Sequence, residues 1–515
     1  MQNQISISLD LDGVLLATID MPGRSMNVFS VELMDALDEL IARVETDPDV
    51  KSVVLTSGKS SFLAGADLSM IRDFTESART LNEEQMFELC GRLGRQFVRI
   101  EASEKPWIAA VNGTALGGGL ELAMACRERI TSDNSRALIG LPEARWGLLP
   151  GAGGTQRMPR LIGFEEGLNY LINARSMSPT EAVQMGLFKS VTTAERLISE
   201  ASNLAKSIQA EPFNPSTKFS HINQNDVPEH TAETVKSLAT KFGVSDEDFE
   251  NYPAYRTIIS CVLLGARLPL DEASSVEMHQ FLKLMFNPVA GNMVRTLFLN
   301  RQRADKTLAA CSELIIEQVN VGWLSTENAL WGKLLKKSRL TVVEDESLPK
   351  NSITLIDSDK NSYNVTIETT AAIIQNKKYE SAHAVLSPVT SNGCVLEIIA
   401  DNEKIADLLA FLAGRLGALP YRTYDSQSVL NRLALSGQKS LEAQSLEALR
   451  LFASGAVKHA EFLDVAACAA GLSPTWTGGP LTFLWANNEK LQSRFDPNLQ
   501  SEWSRVRSIL KSACS

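Results

Sequence analysis

The first third of the chain alternates between two periods. Apolar runs read as strands in ISISLDLDGVLLATID, SVVLTSG and WIAAVNGTAL, whereas SVELMDALDELIARVETD places its apolar residues at helical spacing. That helix is expected to stop at Asp47-Pro48-Asp49, because the residue before a proline is pushed out of the helical region. Strand and helix in alternation argue for an α/β domain. From about residue 191 the pattern turns helical, and residues 251–306 carry apolar positions at helical spacing.

A glycine-punctuated stretch from Asn112 to Gly163 interrupts this regularity. Gly117-Gly118-Gly119 lets the backbone bend where side chains would obstruct it, and Leu120 to Ile130 reads as a helix opening directly afterwards. The free N–H groups of such a helix start favour negative charge, whether a phosphate or an oxyanion. Glu121 lies in the first turn, where a carboxylate also favours the helix dipole. Glu143 follows Pro142 in a loop-like LPE, where a solvated turn residue is the ordinary reading. A second glycine cluster follows at Gly151, Gly153 and Gly154.

Bulk properties narrow the classes. A length of 515 residues suggests two or three domains, and 44% hydrophobic with 22% charged residues is ordinary for a soluble globular protein. The net charge of −11 argues against a nucleic-acid partner. Local basic clusters at Arg295, Arg301, Arg303 and Lys306, and at Lys333, Lys336, Lys337 and Arg339, read as solvated helix faces, with contact to a phosphorylated ligand as the alternative. Seven scattered cysteines without C-x-x-C spacing read as reduced thiols of a cytoplasmic chain, and five dispersed histidines make a zinc site unexpected. MQNQISISLD has neither a basic n-region nor an apolar core, so no signal peptide is expected. No apolar run approaches the roughly 20 residues of a spanning helix, so no membrane span is expected either.

The two glutamates between these glycine clusters resemble the enoyl-CoA hydratase/isomerase (crotonase) family. The resemblance covers residues 5–190 and includes KSSFLAGADLSMI, Lys59 to Ile71, which looks like the family's other oxyanion-hole segment. The LPE and GLLPGAGGTQRMPRL pattern is most like the multifunctional alpha subunits of fatty-acid oxidation complexes. It implies a crotonase-type ββα spiral over 1–190 and helical completion with linking helices over 191–306. A reduced Rossmann-like dehydrogenase remnant over 307–420 and a helical domain over 421–515 would follow, making the C-terminal half mainly α.

The dehydrogenase module of those subunits opens with a strand, a G-x-G-x-x-G turn and a helix that hold NAD. No such motif follows residue 306. Residues 384–399, AVLSPVTSNGCVLEII, resemble the stretch carrying the dehydrogenase's His–Glu pair. Ala384 stands where the histidine is expected, with His383 one residue early and Glu397 one residue late. LNRL at 430–433 and WTGGPLTFL at 476–484 resemble further dehydrogenase segments. NAD is therefore not expected.

By the same resemblance the backbone N–H groups of Ala66 and Gly118 form an oxyanion hole, and Ala64, Gly65 and Asp67 line the substrate. Losing one such donor typically costs about 10²–10³ in rate. The resemblance makes Glu121 the base toward water and Glu143 the group delivering the α-proton, two carboxyls whose burial near each other pushes their pKa values apart. Coenzyme A enters as part of an acyl-CoA thioester substrate, with no separate cofactor and no metal. The implied activity is hydration of 2-enoyl-CoA in beta-oxidation, with Δ3–Δ2-enoyl isomerisation available to the same carboxylates. Two alternatives stand beside it: another crotonase-fold reaction such as thioester hydrolysis or decarboxylation, and a weakly active assembly subunit docking beta-oxidation partners. A homo-oligomer or a thiolase partner is implied by the resemblance alone.

Overall fold

The computed structural model describes residues 4–209, 211, 222, 224–304, 384–387, 390, 393–399, 403–425 and 428–512, with the backbone of strands at 320–323, 341–343, 352–358 and 362–367. His383, Lys306, Lys333, Lys336, Lys337, Arg339, Cys311 and Cys514 lie outside the described residues. The chain divides into two compact units, residues 1–291 and 292–515.

The first unit is built on a six-stranded sheet. Strands β1 (Ile5–Leu9), β2 (Val14–Ile19), β3 (Ser52–Ser57) and β4 (Trp107–Val111) are followed by a short β5 (Ala115–Leu116), β6 (Glu128–Ser132), short β7 (Ile139–Gly140) and β8 (Ser176–Met177), and β9 (Ser190–Thr192). Sheet order is β1-β2-β3-β4-β6-β9, the first pair antiparallel and the rest parallel. Every residue of β3 and β4 is buried, as expected of parallel strands covered on both faces, whose sequences read as continuous apolar runs. The helix Val31–Thr46 covers this sheet through Leu33, Leu37, Leu40, Ile41 and Val44. Ser30 caps its start by accepting from the Leu33 N–H, and it ends at Asp47, just before Pro48.

Strands β5, β7 and β8 form a separate three-stranded sheet, order β5-β7-β8. The parallel pair β5 and β7 is the framework on which the site is hung. Helix periodicity predicts one helix from Leu120 to Ile130, but the helix is Gly118–Ala125, and Ile130 lies in β6 opposite Ala110. A short apolar run fits a buried strand as well as a helix, so periodicity could not place that boundary. The buried Arg129 closes the helix end, donating from Nη1 to the Cys126 carbonyl and from Nε to the Leu187 carbonyl.

The helices Pro253–Gly265 and Leu270–Met285 complete the first unit. They pack on each other and on the helix Gly154–Ile162, and the second also meets the helix Glu83–Cys90. Helical spacing over 251–306 therefore reads correctly up to the end of this unit.

The second unit carries a seven-stranded mixed sheet and a helical layer. Its strands are β10 (Asn320–Trp323), β11 (Thr341–Val343), β12 (Ser352–Ser358), β13 (Ser362–Ile367), β14 (Ala384–Leu386), β15 (Val395–Ile398) and β16 (Leu419–Arg422), in the order β11-β10-β12-β13-β14-β15-β16. The pairings from β12 to β15 are antiparallel, with parallel pairings on either side. The helices Val429–Gly437, Leu441–Ala453, Ala460–Ala469 and Pro497–Ser512 close around an apolar core that includes Leu433, Leu449, Leu463, Leu481, Trp503 and Val506. Arg295 is not the solvated cation that its basic cluster suggests. It is buried, with its guanidinium over the Trp485 ring at 5.2 Å, because it lies on the inner face of a helical turn that packs on the helix Ala460–Ala469.

The fragment resembling the dehydrogenase's His–Glu pair has a structural use here. Glu397 is fully buried and accepts from Thr423 Oγ1, Ser428 Oγ and the N–H groups of Val429 and Leu430, which open the helix Val429–Gly437. Both of its oxygens are thus engaged in capping that helix. Ala384 is buried in β14, directly opposite Ile398.

Candidate active site

Each of the two glutamates follows one strand of the β5–β7 pair. Beyond β5 the chain turns at Gly117 into the helix that carries Glu121, and beyond β7 it passes Leu141 and Pro142 to Glu143, the first residue of a 3-10 turn ending at Trp146. LPE is therefore a loop that leads into a short helical turn at Glu143. The Gly117 N–H donates to the Gly140 carbonyl at 2.9 Å, tying the two exits together. Gly117 has φ +52°, and a Cβ there would sit 2.6 Å from Glu143 Oε1, so both backbone and space require glycine.

Glu121 is buried, and its Oε1 accepts from the N–H groups of Ala152 and Gly154, each at 2.8 Å. The second glycine cluster thus wraps the carboxylate. Burial pushes the Glu121 carboxyl above the usual range, while those two donors and the Arg157 charge pull the other way. Glu143 has a different setting. Its Oε2 is shielded from solvent and accepts no hydrogen bond among the described residues, so burial, and then the facing charges of Glu121 and Glu277, hold its carboxyl well above the ordinary range.

Backbone donors approach from two sides. Segment 63–66 runs parallel to 115–118, bridged at Leu63 and Ala115, with the Leu116 N–H on the Leu63 carbonyl at 3.0 Å. The segments stay close at Gly65 and Gly117, where a Cβ on Gly117 would lie 3.5 Å from the Gly65 Cα. Ala66 and Gly118 are the next residues along each. The Gly65 carbonyl and the Asp67 N–H both bond to Phe29, which turns the Ala66 N–H to the side away from Phe29. Gly118 opens its helix, where the first N–H groups have no intrahelical acceptor. Ala64 donates to the Asn27 carbonyl, and Asp67 caps the helix Leu68–Ser77 through Ser69 while pairing with Arg24 at 2.9 Å.

Four residues outside the sequence-derived set hold this arrangement. Asn27 is fully buried and donates to the Ile19 and Phe62 carbonyls, anchoring the start of segment 62–66. Arg157 is fully buried, pairs with Glu101 through Nε and Nη2 at 3.1 and 3.2 Å, and donates to the Ala152 carbonyl at 2.7 Å. Gly153, at φ +101°, leaves the space that Arg157 fills, since a Cβ would lie 1.6 Å from Nη1. Tyr252 donates to the Ala144 carbonyl at 2.5 Å and accepts from the Gly147 N–H at 3.1 Å, clamping the turn that carries Glu143. The fourth is Glu277, buried on the helix Leu270–Met285. Its signal in sequence was a carboxylate among the apolar positions Ala273, Phe281 and Leu284 of one helix face.

Tyr252→Phe is expected to destabilise the protein by about 1–3 kcal/mol, since the Ala144 carbonyl and the Gly147 N–H are both left without that partner in a buried place. Urea unfolding of wild type and variant measures it. An unchanged midpoint and slope would mean that water replaces the hydroxyl.

Residues 11–245 match the enoyl-CoA hydratase/isomerase family, and the first unit carries a domain of that family. Among curated proteins, the chain is similar to the fatty acid oxidation complex subunit alpha of Shewanella putrefaciens, 33% identical over 314 residues, which are 60% of this chain and 43% of that one. The corresponding subunit of Shewanella frigidimarina is 34% identical over 312 residues, 60% of this chain and 42% of that protein. The chain thus spans less than half the length of these relatives. A solved enoyl-CoA hydratase from Bacillus anthracis is 26% identical, with a TM-score of 0.36 over 54% of this chain and 89% of that one.

Proposed function

We propose that this protein hydrates 2-enoyl-CoA thioesters to 3-hydroxyacyl-CoA in fatty-acid beta-oxidation. The observation that carries the reading is a pair of neighbouring carboxyls in opposed settings, buried Glu121 gripped by two N–H donors and half-buried Glu143 with a shielded oxygen that accepts none among the described residues. Hydration needs this asymmetry. One carboxylate removes a proton from water as the oxygen adds to the β-carbon, and one carboxylic acid delivers a proton to the α-carbon. Glu121, with its donors and the nearby Arg157, suits the ionised base. Glu143, held well above the ordinary range by burial and the facing Glu121 charge, suits the acid.

Negative charge grows on the thioester oxygen as water adds, and the N–H groups of Ala66 and Gly118 are the donors assigned to it. Ala64, Gly65 and Asp67 belong to the lining of that pocket, with coenzyme A present as part of the substrate. Removal of an α-proton from a Δ3-enoyl thioester by a carboxylate gives a dienolate whose oxygen meets the same N–H donors, and protonation of its γ-carbon gives the Δ2-enoyl thioester, so isomerisation accompanies hydration in this reading.

The second unit plays no redox part in this proposal. A sequence without a G-x-G-x-x-G turn after residue 306 offers no glycine turn by which a backbone approaches a pyrophosphate, and Glu397 is engaged by four donors as a cap. A docking role for this unit, toward a second copy or a thiolase, belongs to the same proposal. The test is a spectrophotometric assay of the full chain on 2-enoyl-CoA thioesters of graded length, with and without NAD, alongside isothermal titration with NADH. Loss of the enoyl absorbance independent of NAD is the expected result, with no heat of NADH binding. Micromolar NADH binding together with oxidation of 3-hydroxyacyl-CoA would overturn the redox part. No turnover on any enoyl-CoA would overturn the hydratase.

A further inference from the structure

Four successive N–H groups at the start of the helix Gly154–Ile162 are divided between two carboxyls. Those of Ala152 and Gly154 reach Glu121 Oε1 at 2.8 Å each; those of Gly153 and Thr155 reach Glu277 Oε1 and Oε2 at 2.5 and 3.0 Å. Thr155 adds its hydroxyl to Glu277 Oε2, and the same hydroxyl lies 3.1 Å from Cys261 Sγ. Glu277 comes from a helix more than a hundred residues downstream and is 1% exposed, so a distant part of the chain reaches the glycine loop that also holds Glu121. Two carboxyls therefore hold one backbone segment between them, and neither can shift without disturbing the donors of the other.

We infer that Glu277 is a positioning residue for Glu121, fixing the 152–155 loop whose N–H groups orient the Glu121 carboxylate and adding a third proton-binding group to the carboxyl pair. The inference rests on the hydratase reading for its kinetic consequence only. Charged and titratable groups face Glu277 from each element packed on it. Glu121 comes from the helix Gly118–Ala125, Glu143 from its turn, Arg157 and Arg160 from the helix Gly154–Ile162, and Cys261 from the helix Pro253–Gly265. From the helix Glu83–Cys90, Glu83 meets His279 at the exposed edge of Glu277's own helix. Burial, and then the Glu121 charge, push the Glu277 carboxyl up to about 8. A carboxyl raised in this direction is expected to ionise later than an ordinary glutamate as pH rises, placing a second negative charge on the loop that holds Glu121. A developing oxyanion is disfavoured by that charge, so turnover should decline above pH 8.

Glu277→Gln keeps the size and removes the ionisation. In the full chain it should lower kcat by about tenfold at pH 7, the effect of one disturbed buried hydrogen bond, with KM little changed. The alkaline limb of kcat/KM near pH 8 should vanish or move upward. Thr155→Val, which removes only the hydroxyl that holds Glu277 Oε2, should move the limb in the same direction by less. Infrared titration reads the carboxyl without turnover: a protonated buried carboxyl that ionises near pH 8 in wild type should be missing in Glu277→Gln. Wild-type pH profiles and wild-type infrared titration in a folded Glu277→Gln would overturn the inference. If wild type turns over no enoyl-CoA, the hydratase reading fails, and the infrared titration still decides whether Glu277 is the third proton-binding group. Should Glu277→Gln not fold, Thr155→Val decides by the same two measurements.

Discussion

Glu121→Gln and Glu143→Gln are each expected to reduce hydration of the best enoyl-CoA by about 10²–10⁴, the range for a positioned general acid or base. The amide preserves size and, at Glu121, keeps an oxygen for the Ala152 and Gly154 N–H groups, so the fold should survive. The two losses should not add in the double variant, because a coupled pair works as one unit. Circular dichroism confirms the fold and steady-state assays give the rate. Near-parental turnover in either single variant would rule out the two-carboxylate mechanism for this protein.

Arg157→Met is expected to cost about 3–5 kcal/mol of stability, the effect of leaving one member of a buried ion pair without its partner. Glu101 is itself buried, and the methionine cannot replace the bond to the Ala152 carbonyl at the start of the glycine loop. Because Ala152 also donates to Glu121, activity should fall together with stability. Denaturant unfolding compared with Glu101→Gln and the double variant isolates the pair. If the double variant is no more stable than the sum of the singles predicts, the ion pair is not the source of the loss.

Much of the site was legible because it is local. The run at Gly117-Gly118-Gly119 announces a sharp turn into a helix, and the LPE and second glycine cluster lie within the same stretch of chain. The helix boundary at Ala125 was not legible, because residues of β6 satisfy helical spacing as readily as strand burial. Arg295 was misread for a related reason: a run of cations says nothing about which of them lies under an aromatic ring.

The sequence by itself determined the core strands, through apolar runs, the helix end before Pro48, and the glycine turn that opens the helix carrying Glu121. These are short-range consequences of sterics and solvation, which act within a few residues. Only the tertiary structure decided the partners. Tyr252 reaches Ala144 and Gly147, Glu277 reaches Gly153 and Thr155, and Arg157 reaches back to Glu101. Hydrophobic periodicity states that a helix face is buried but not what it meets, so a carboxylate on that face has a meaning only once the chain has folded against it.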